Sequence, residues 1–388
     1  MEELEKLIEQ YCPKGVPKVA LGECIDIKTG DQLNKSMMLV VGDYPVINGG
    51  INPSGYTDKY NTEANTSTIS QGGNSAGYVN WLKSRFWAGA HCFVVRPKKG
   101  FDNRFVYHFL KQSELSLMMS KQGAGIPSVG RKTILSLEMP FPSLPVQHEI
   151  VRVLDTFTNL NENLQQELDA RGKQLEYYRN AFFGSSVEEM LCKAQDGSFK
   201  VVPISSLGSL TRGKRFVKAD SVDIGAPCIH YGEIYTYYGL YASETKSHIS
   251  YEQTKLLRHA QKNDVIIVGA GENNVDIGIG VVWLGDEEVA VHDACYTLHH
   301  SQNPLYISNY LRSQVYHQQI KKDVSEGKIC SISAQGVGRA LIPIPSLSKQ
   351  AEIVDKLGAI EGLIQNIKDE IAARQKQYEY YREKLLTF

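Results

Sequence analysis

Gly208-Ser-Leu-Thr-Arg-Gly213-Lys214 has the glycine and lysine spacing of a loop that cradles phosphates. Its chemistry would be nucleotide binding, with backbone N–H groups around the anion and the lysine ammonium beside it. The next position should supply a serine or threonine for magnesium, and Arg215 stands there instead. Glu326 and Lys328 have the spacing of part of a nuclease site, but Asp323 precedes them too closely to lie on a separate strand. His292, Asp293, His299 and His300 could ligate a metal, yet no second ligand cluster stands at usable spacing. Asn52-Pro53-Ser54 and Asn303-Pro304-Leu305 lack the second proline and the aromatic residue of an adenine-amino methyl-transfer element, and neither is accompanied by a glycine-rich cofactor loop. No catalytic constellation assembles from these residues.

Binding chemistry is better represented. Lys28, Thr29 and Lys35 follow the first expected strand of the first half, and Arg212, Lys214, Arg215 and Lys218 follow its counterpart in the second. Lys121, Arg131, Lys132 and Lys328 lie further along, with Lys321 and Lys322 beside the last. Loop lysines and arginines suit phosphate contacts, which place a protein on DNA without reading it. Asn48, Gln71, Asn74, Asn273 and Asn274 sit in glycine-rich loops, where amide side chains can pair with adenine edges. Ordinary turn chemistry explains the same amides. Tyr231, Tyr235, Tyr237 and Tyr238 form a dense group in the second half alone. They could pack on sugars and thymine methyls, or fill the core of a twisted sheet.

These groups must be positioned by a scaffold that the chain contains twice. Pro140–Phe182 aligns without a gap on Pro343–Leu385 at a constant offset of 203, and Glu-Tyr-Tyr-Arg ends at Arg179 and again at Arg382. Upstream, Val16, Pro17, Leu21 and Gly22 match Val202, Pro203, Leu207 and Gly208 at an offset of 186. The second copy therefore carries extra residues in its middle, and the middles differ in composition. A repeat of this length sets the architecture.

Each repeat closes on a long amphipathic segment. Ile150, Leu154, Phe157, Leu164, Leu168 and Leu175 follow an alternating four-three spacing, and Ile353, Leu357, Ile360, Ile364, Ile367 and Ile371 repeat it. Asn161, Arg171, Tyr178 and Phe182 fill further beats of the first segment. Such spacing marks a coiled-coil seam, and mutual burial of the two seams predicts an antiparallel pair. Arg171 and Arg374 interrupt the seams and are expected to snorkel or to meet carboxylates. Pro145 suits a first helical turn and Gly184 a stop. Residues 16–142 and 202–345 read as mixed α/β, with strands expected at 38–41, 91–95, 265–268, 277–283 and 288–291 and helices at 103–122 and 304–324. The expected fold is mixed α/β: globular domains over 1–145 and 186–347, long helices over 146–185 and 348–388, and a pseudo-twofold internal repeat.

Composition narrows the class. The 388 residues are 42% hydrophobic and 22% charged, with a formal net charge of −1. That balance opposes binding a polyanion by bulk charge and leaves room for local basic loops. The seven scattered cysteines include no Cys-x-x-Cys pair and fit reduced thiols in the cytoplasm. No apolar run reaches membrane-spanning length.

The doubled Pro-x-Pro lead with its glutamine, Pro140-Phe-Pro-Ser-Leu-Pro145 with Gln147 and Pro343-Ile-Pro-Ser-Leu347 with Gln350, resembles the specificity subunits of type I restriction-modification systems. The long helix after each lead, the paired Leu-Gly elements and the divergent middles extend that resemblance over essentially the whole chain. It implies that each middle is a target recognition domain reading half of an asymmetric bipartite site in double-stranded DNA. It implies helices that space the domains and dock two modification subunits, which methylate adenine. Restriction subunits would add translocation and cleavage. S-adenosylmethionine, ATP and Mg2+ would then belong to the partners, and this chain would be non-catalytic. A coiled-coil scaffold that does not read DNA and a fragment of a methyltransferase or nuclease are the alternatives.

Overall fold

The computed structural model describes residues 2–123 and 127–388; Met1 and residues 124–126, which fall in the expected range 1–145, lie outside them. The chain forms two compact units, one of residues 1–166 with 368–388 and one of residues 167–367.

In the first unit, four antiparallel strands lie in the order Ile25–Thr29, Cys92–Pro97, Thr66–Ser70, Val79–Leu82. A smaller sheet places Tyr44–Ile47 between an antiparallel Gly55–Thr57 and a parallel Trp87–Ala88. The second unit repeats this order: Gly208–Arg212, Cys295–His300, Val265–Val268, Gly280–Trp283, with Tyr241–Ala242 added at the far edge. Its other sheet, also of five strands, places Ala226–Ile229 between an antiparallel Ser247–Ile249 and a parallel Val289–Val291, with Ser221–Val222 and His259–Ala260 at its edges. The repeat seen at the ends of each half therefore runs through the middles as topology, where their sequences have diverged.

Burial explains the central strands. Val265-Ile-Ile-Val268 is buried on both faces, which suits β-branched residues in a covered sheet. The helix over the first sheet begins at Asn103, capped by the Asp102 carboxylate, which accepts from the N–H groups of Arg104 and Phe105 at 2.8 Å each. Its counterpart begins at Pro304, capped by Asn303, which accepts from the Tyr306 N–H at 3.2 Å. The expected helix over 103–122 is two helices, Asn103–Gln112 and Glu114–Met119, and the one over 304–324 likewise breaks, at Leu311–Ser313. The strand expected over 38–41 does not form: Val40 and Val41 are 92% and 82% exposed, and only Leu39 pairs, with Tyr56. With no covering layer, apolar side chains there have nothing to hold them extended.

Each globular part is closed by a two-stranded ribbon, Lys18–Ala20 with Glu138–Pro140 and Lys200–Pro203 with Leu341–Ile344. The ribbon's last strand leads through the Pro-x-Pro segment into a 40-residue helix, Leu144–Phe183 or Leu347–Leu386. The glutamine of the motif locks this junction. Gln147 is fully buried; its Nε2 donates to the Pro142 and Gly100 carbonyls at 2.8 and 3.2 Å, and its Oε1 accepts from the Asp102 N–H at 2.8 Å. Gln350 donates to the Pro345 carbonyl at 2.9 Å and to Gln302 Oε1 at 2.8 Å, and accepts from the Asn303 N–H at 2.9 Å. One side chain thus ties the start of the long helix to the cap of the sheet-covering helix. The central helix stops at Gly184, whose φ of +91° suits glycine and whose N–H donates to the Asn180 carbonyl at 2.8 Å.

The helices run antiparallel within each unit. In the first, Phe157 stacks on Tyr381 at 5.2 Å and Asn161 donates to Gln375 at 3.4 Å. In the second, Arg179 pairs with Glu361 at 2.6 Å. The seams also pack against the sheets. Ile150, Leu154, Tyr378 and Leu385 belong to the first unit's core with Phe105 and Phe109. Leu175, Phe183, Ile353 and Leu357 belong to the second's with Tyr306 and Tyr310. Phe157, Leu164, Leu168, Ile360, Ile364, Ile367 and Ile371 are half-buried. Tyr178, expected on the seam, is exposed, and Arg179 takes the inward position, because a 3.6-residue turn drifts away from a strict 3.5 beat. Arg171 meets Glu167 at 3.3 Å and Gln174 at 2.9 Å, and Arg374 meets Glu370 at 2.7 Å and Gln377 at 2.8 Å. Both arginines find a carboxylate one turn back on their own helix.

Candidate nucleic-acid interface

In the first unit, several loops converge at one end of the four-stranded sheet. Register places Thr29 opposite Phe93 and Ser70 opposite Cys92, so the loops after Thr29 and Ser70 and the loop before Cys92 emerge together. Backbone bonds stitch them: the Gln71 N–H donates to the His91 carbonyl at 2.9 Å, and the Val129 N–H to the Gln71 carbonyl at 2.9 Å. Arg131 reaches the Thr29 hydroxyl at 3.4 Å and lies over the Phe93 ring at 5.8 Å. Thr29, Asn48, Gln71 and Arg131 therefore share this end. Asn48 Oδ1 accepts from the His91 N–H at 3.4 Å, so it fastens two loops. Lys121 donates to the Asn74 carbonyl at 3.0 Å beside them. Lys28 and Lys132 are exposed, with no side-chain partner among the described residues. Lys35 is equally exposed, in a short turn over Lys35–Met37 next to the apolar loop at Val40.

Sequence reading missed what holds this end rigid. Asn61 donates to Asp31 and to the Ala88 carbonyl at 3.0 Å each, and accepts from the Ala88 N–H at 2.7 Å. Trp87 Nε1 donates to the Asp31 carbonyl at 3.0 Å. These partners lie tens of residues apart, and no local spacing announces them.

The corresponding end of the second unit is a cleft. Arg212, at the end of its strand, donates through Nε to the Asp293 carbonyl at 2.7 Å, and Arg258 donates to the Arg212 carbonyl at 2.6 Å. Lys214 Nζ donates to the Leu256 carbonyl at 2.8 Å. Gly208–Arg212 is a strand and Lys214 is tied to a loop, so the phosphate-loop spacing there cradles nothing. Asn273 donates to Asp276 at 3.1 Å and Asn274 to Glu326 at 2.7 Å; both amides serve loop structure. Arg215, Lys218 and Lys328 are exposed and have no side-chain partner among the described residues. Tyr231 and Tyr235 lie on a short helix, Tyr231–Thr236, half-buried against the core; Tyr238, beyond the helix, also packs there, and Tyr237 is exposed, so the group packs from a helix and the turn after it and not from a sheet.

Two concavities of about 440 and 370 Å³ adjoin across Ala270 and Ala294 at this end. Tyr231, His292 and Lys328 line the first, and Arg212, Asp293 and Ser331 the second. His292 packs among Phe216, His230 and Tyr231, with ring centroids 5.2 to 5.4 Å away. Burial holds His230 and His292 below the usual histidine range, which favours neutral rings at pH 7. Burial also pushes the Cys92 and Cys228 thiols up to about 12, far from a reactive thiolate. No group of three or more His, Cys, Asp or Glu side chains that could hold a metal ion occurs among the described residues. No helix there is long and apolar enough to cross a membrane.

The arrangement is two sheet ends with the same topology and different side chains, each mixing cations, amides and aromatics around exposed backbone. The family model for the type I restriction modification DNA specificity domain matches residues 13–170 and 197–373. The chain therefore belongs to the type I restriction-modification DNA specificity family, with two copies of that domain. It is 28% identical over 380 residues to a type I restriction enzyme specificity subunit of Haemophilus influenzae, covering 91% of this chain and 90% of that one. It is 26% identical over 276 residues to the EcoR124I/EcoR124II specificity subunit of Escherichia coli, covering 64% of this chain and 61% of that one. The crystal structure of a type I restriction-modification S subunit from M. genitalium superposes with a TM-score of 0.62 at 20% identity, over 96% of both chains, and so shares the fold.

Proposed function

We propose that this chain is the DNA-reading, non-catalytic subunit of a type I restriction-modification complex, with target recognition domains over 1–145 and 186–347. Each reads one half of a bipartite, asymmetric site in double-stranded DNA. The observation that carries this reading is the doubled topology ending in unlike surfaces: Thr29, Gln71 and Arg131 on one sheet end, Arg212, Tyr231 and Lys328 on the other. One scaffold with two different edges is what a two-part sequence requires. The exposed Lys28, Lys35, Lys132, Arg215 and Lys218 supply phosphate contacts that position the protein, and side chains between them read base edges.

The helices over 146–185 and 348–388 set the gap between half-sites and dock two modification subunits, with restriction subunits joining beyond them. Adenine methylation, with its S-adenosylmethionine, and ATP- and Mg2+-dependent translocation and cleavage reside in those partners, in the cytoplasm. The specificity subunits named among the relatives support this division of labour.

Mapping methylated adenines in cells that carry this chain with its modification partner tests the reading. The expected result is one asymmetric motif of two parts at a fixed gap. Exchanging residues 16–142 for the equivalent region of another family member should alter one part and leave the other and the gap intact. Methylation with no two-part motif, or a change in both parts, refutes the assignment.

A further inference from the structure

The geometry points to Glu272 and Lys328 as the pair that reads a C·G base pair in the half-site of the second unit, an inference that rests on the DNA-reading assignment above. Ala270–Gly271 and Cys330–Ser331 form a two-stranded ribbon with Gly271 opposite Cys330. Glu272 follows the first strand and Lys328 stands two residues before the second, so the two emerge from the same end of that ribbon. Both line the concavity of about 440 Å³, with the Tyr231 and His292 rings on its wall.

The neighbouring acids are all engaged. Asp276 accepts from Asn273 at 3.1 Å, Glu326 from Asn274 at 2.7 Å, Asp323 from Arg339 at 2.5 Å, and Asp293 lies 3.9 Å from Arg212. Glu272 is exposed and makes no hydrogen bond or ion pair with another side chain among the described residues, and the same holds for Lys328. A carboxylate with no internal partner on a surface that receives a polyanion repels the phosphates of any sequence, and that repulsion is offset only where a base offers it an amino group. On the major-groove edge both cytosine N4 and adenine N6 are such donors, but adenine N6 sits between the N7 and O4 acceptors, which repel a carboxylate, whereas cytosine N4 has acceptors, the guanine O6 and N7, on one side only, where an ammonium can take them. A carboxylate and an ammonium lining one concavity match that edge in sign. Glu272 also excludes wrong sequences, because facing a carbonyl oxygen it adds repulsion to a lost hydrogen bond.

The test uses the full complex of this chain with its modification partner, carrying E272A, E272Q or K328A. Methylated sites are mapped in cells, and binding is measured on an oligonucleotide pool randomised at each position of the parent motif. Both side chains are exposed, so the variants should fold, and an unchanged half-site from the first unit serves as the internal control. E272A is expected to cut discrimination at one C·G pair by roughly 5- to 150-fold, the usual worth of a good base contact. E272Q should turn that position toward A·T, because an amide pairs with adenine N6 and N7. K328A should relax the same position. Unchanged profiles for E272A and E272Q, or relaxation at a position that is not C·G in the parent motif, overturn the assignment of these residues while the two-part motif stands. A parent complex without a two-part motif overturns both readings.

Discussion

Replacing Gln147 or Gln350 with alanine should soften the unit that contains it, because each buried side chain ties the lead of the long helix to the cap of the sheet-covering helix. Gln147 makes three hydrogen bonds at 2.8 to 3.2 Å with no access to water. Alanine would strand the Asp102 N–H and remove the donor to two carbonyls. One buried polar group left unsatisfied costs about 1–3 kcal/mol, and partial relaxation limits the total to about 2–5 kcal/mol. For a unit of this size that is a drop of roughly 5–15 °C in its melting temperature. Q147E is expected to be at least as damaging, since it keeps the acceptor for Asp102 but turns a carboxylate oxygen toward the Pro142 and Gly100 carbonyls. Calorimetry on the full chain, with Trp81 and Trp87 reporting the first unit and Trp283 the second by fluorescence, resolves which transition moves. The clamps share no partners, so the double variant should show the sum of the single effects within about 0.5 kcal/mol. Melting curves of Q147A and Q350A within a degree of the parent would refute the latch, and with it the physical account of the doubled motif.

Other expectations follow from the same structure. E361A should destabilise the second unit by about 2–4 kcal/mol in urea unfolding, because it leaves the largely buried Arg179 guanidinium without its carboxylate and held only by the Asn309 amide oxygen at 3.3 Å; Glu361 is 25% exposed, which keeps the cost below that of a fully buried pair. An R179L/E361L double variant should recover most of that loss. Burial lowers His230, His292, His300 and His317 in the second unit and His108 in the first. A folded pKa below the unfolded value of 6.5 gives stability that is full above that pH and lost as the pH falls through it. The second unit's melting temperature should therefore drop more steeply between pH 7 and pH 5, and equal slopes for the two units would contradict this. G184A should shorten the central helix's stop or strain it, at about 1–2 kcal/mol, since φ is +91° there and a Cβ would meet Met190 at 3.3 Å. In the assembled complex, removing Lys28 and Lys132 together should lower the salt dependence of DNA binding by about one to two phosphate contacts while leaving the recognised sequence unchanged.

The seams were legible because heptad spacing is local: Ile150, Leu154 and Leu175 could be placed inward from sequence, and they are buried. Pro145 and Gly184 marked the helix ends for the same reason. The shared strand order of the middles was not legible. Its strands are short, and they pair across separations such as Ile25 with Pro97, which no window of sequence contains. Val40 and Val41 have the β-branched character of a strand without a layer to cover them. Gln147 stood out as part of a repeated motif, yet its role waited on Gly100 and Asp102, more than forty residues upstream. Of the interface candidates, Arg131, expected on a loop, stands instead at the start of the short helix Arg131–Leu135, where it reaches Thr29, whereas Asn273 and Asn274 resemble base readers and are held by Asp276 and Glu326. An amide in a glycine-rich loop reads the same in both roles until its acceptor is known.

The first unit takes Tyr378, Leu385 and Leu386 into its core, although everything else in that core lies before residue 160. On the ribosome this imposes a wait. At about 5–20 residues per second, roughly 11–45 s separate the emergence of Phe157 from that of its stacking partner Tyr381. During that interval an apolar strip on the nascent central helix is open to chaperones and to neighbouring chains. A chain that lacked Tyr378, Leu385 and Leu386 would leave its earliest-made portion with an uncovered apolar strip along the central helix.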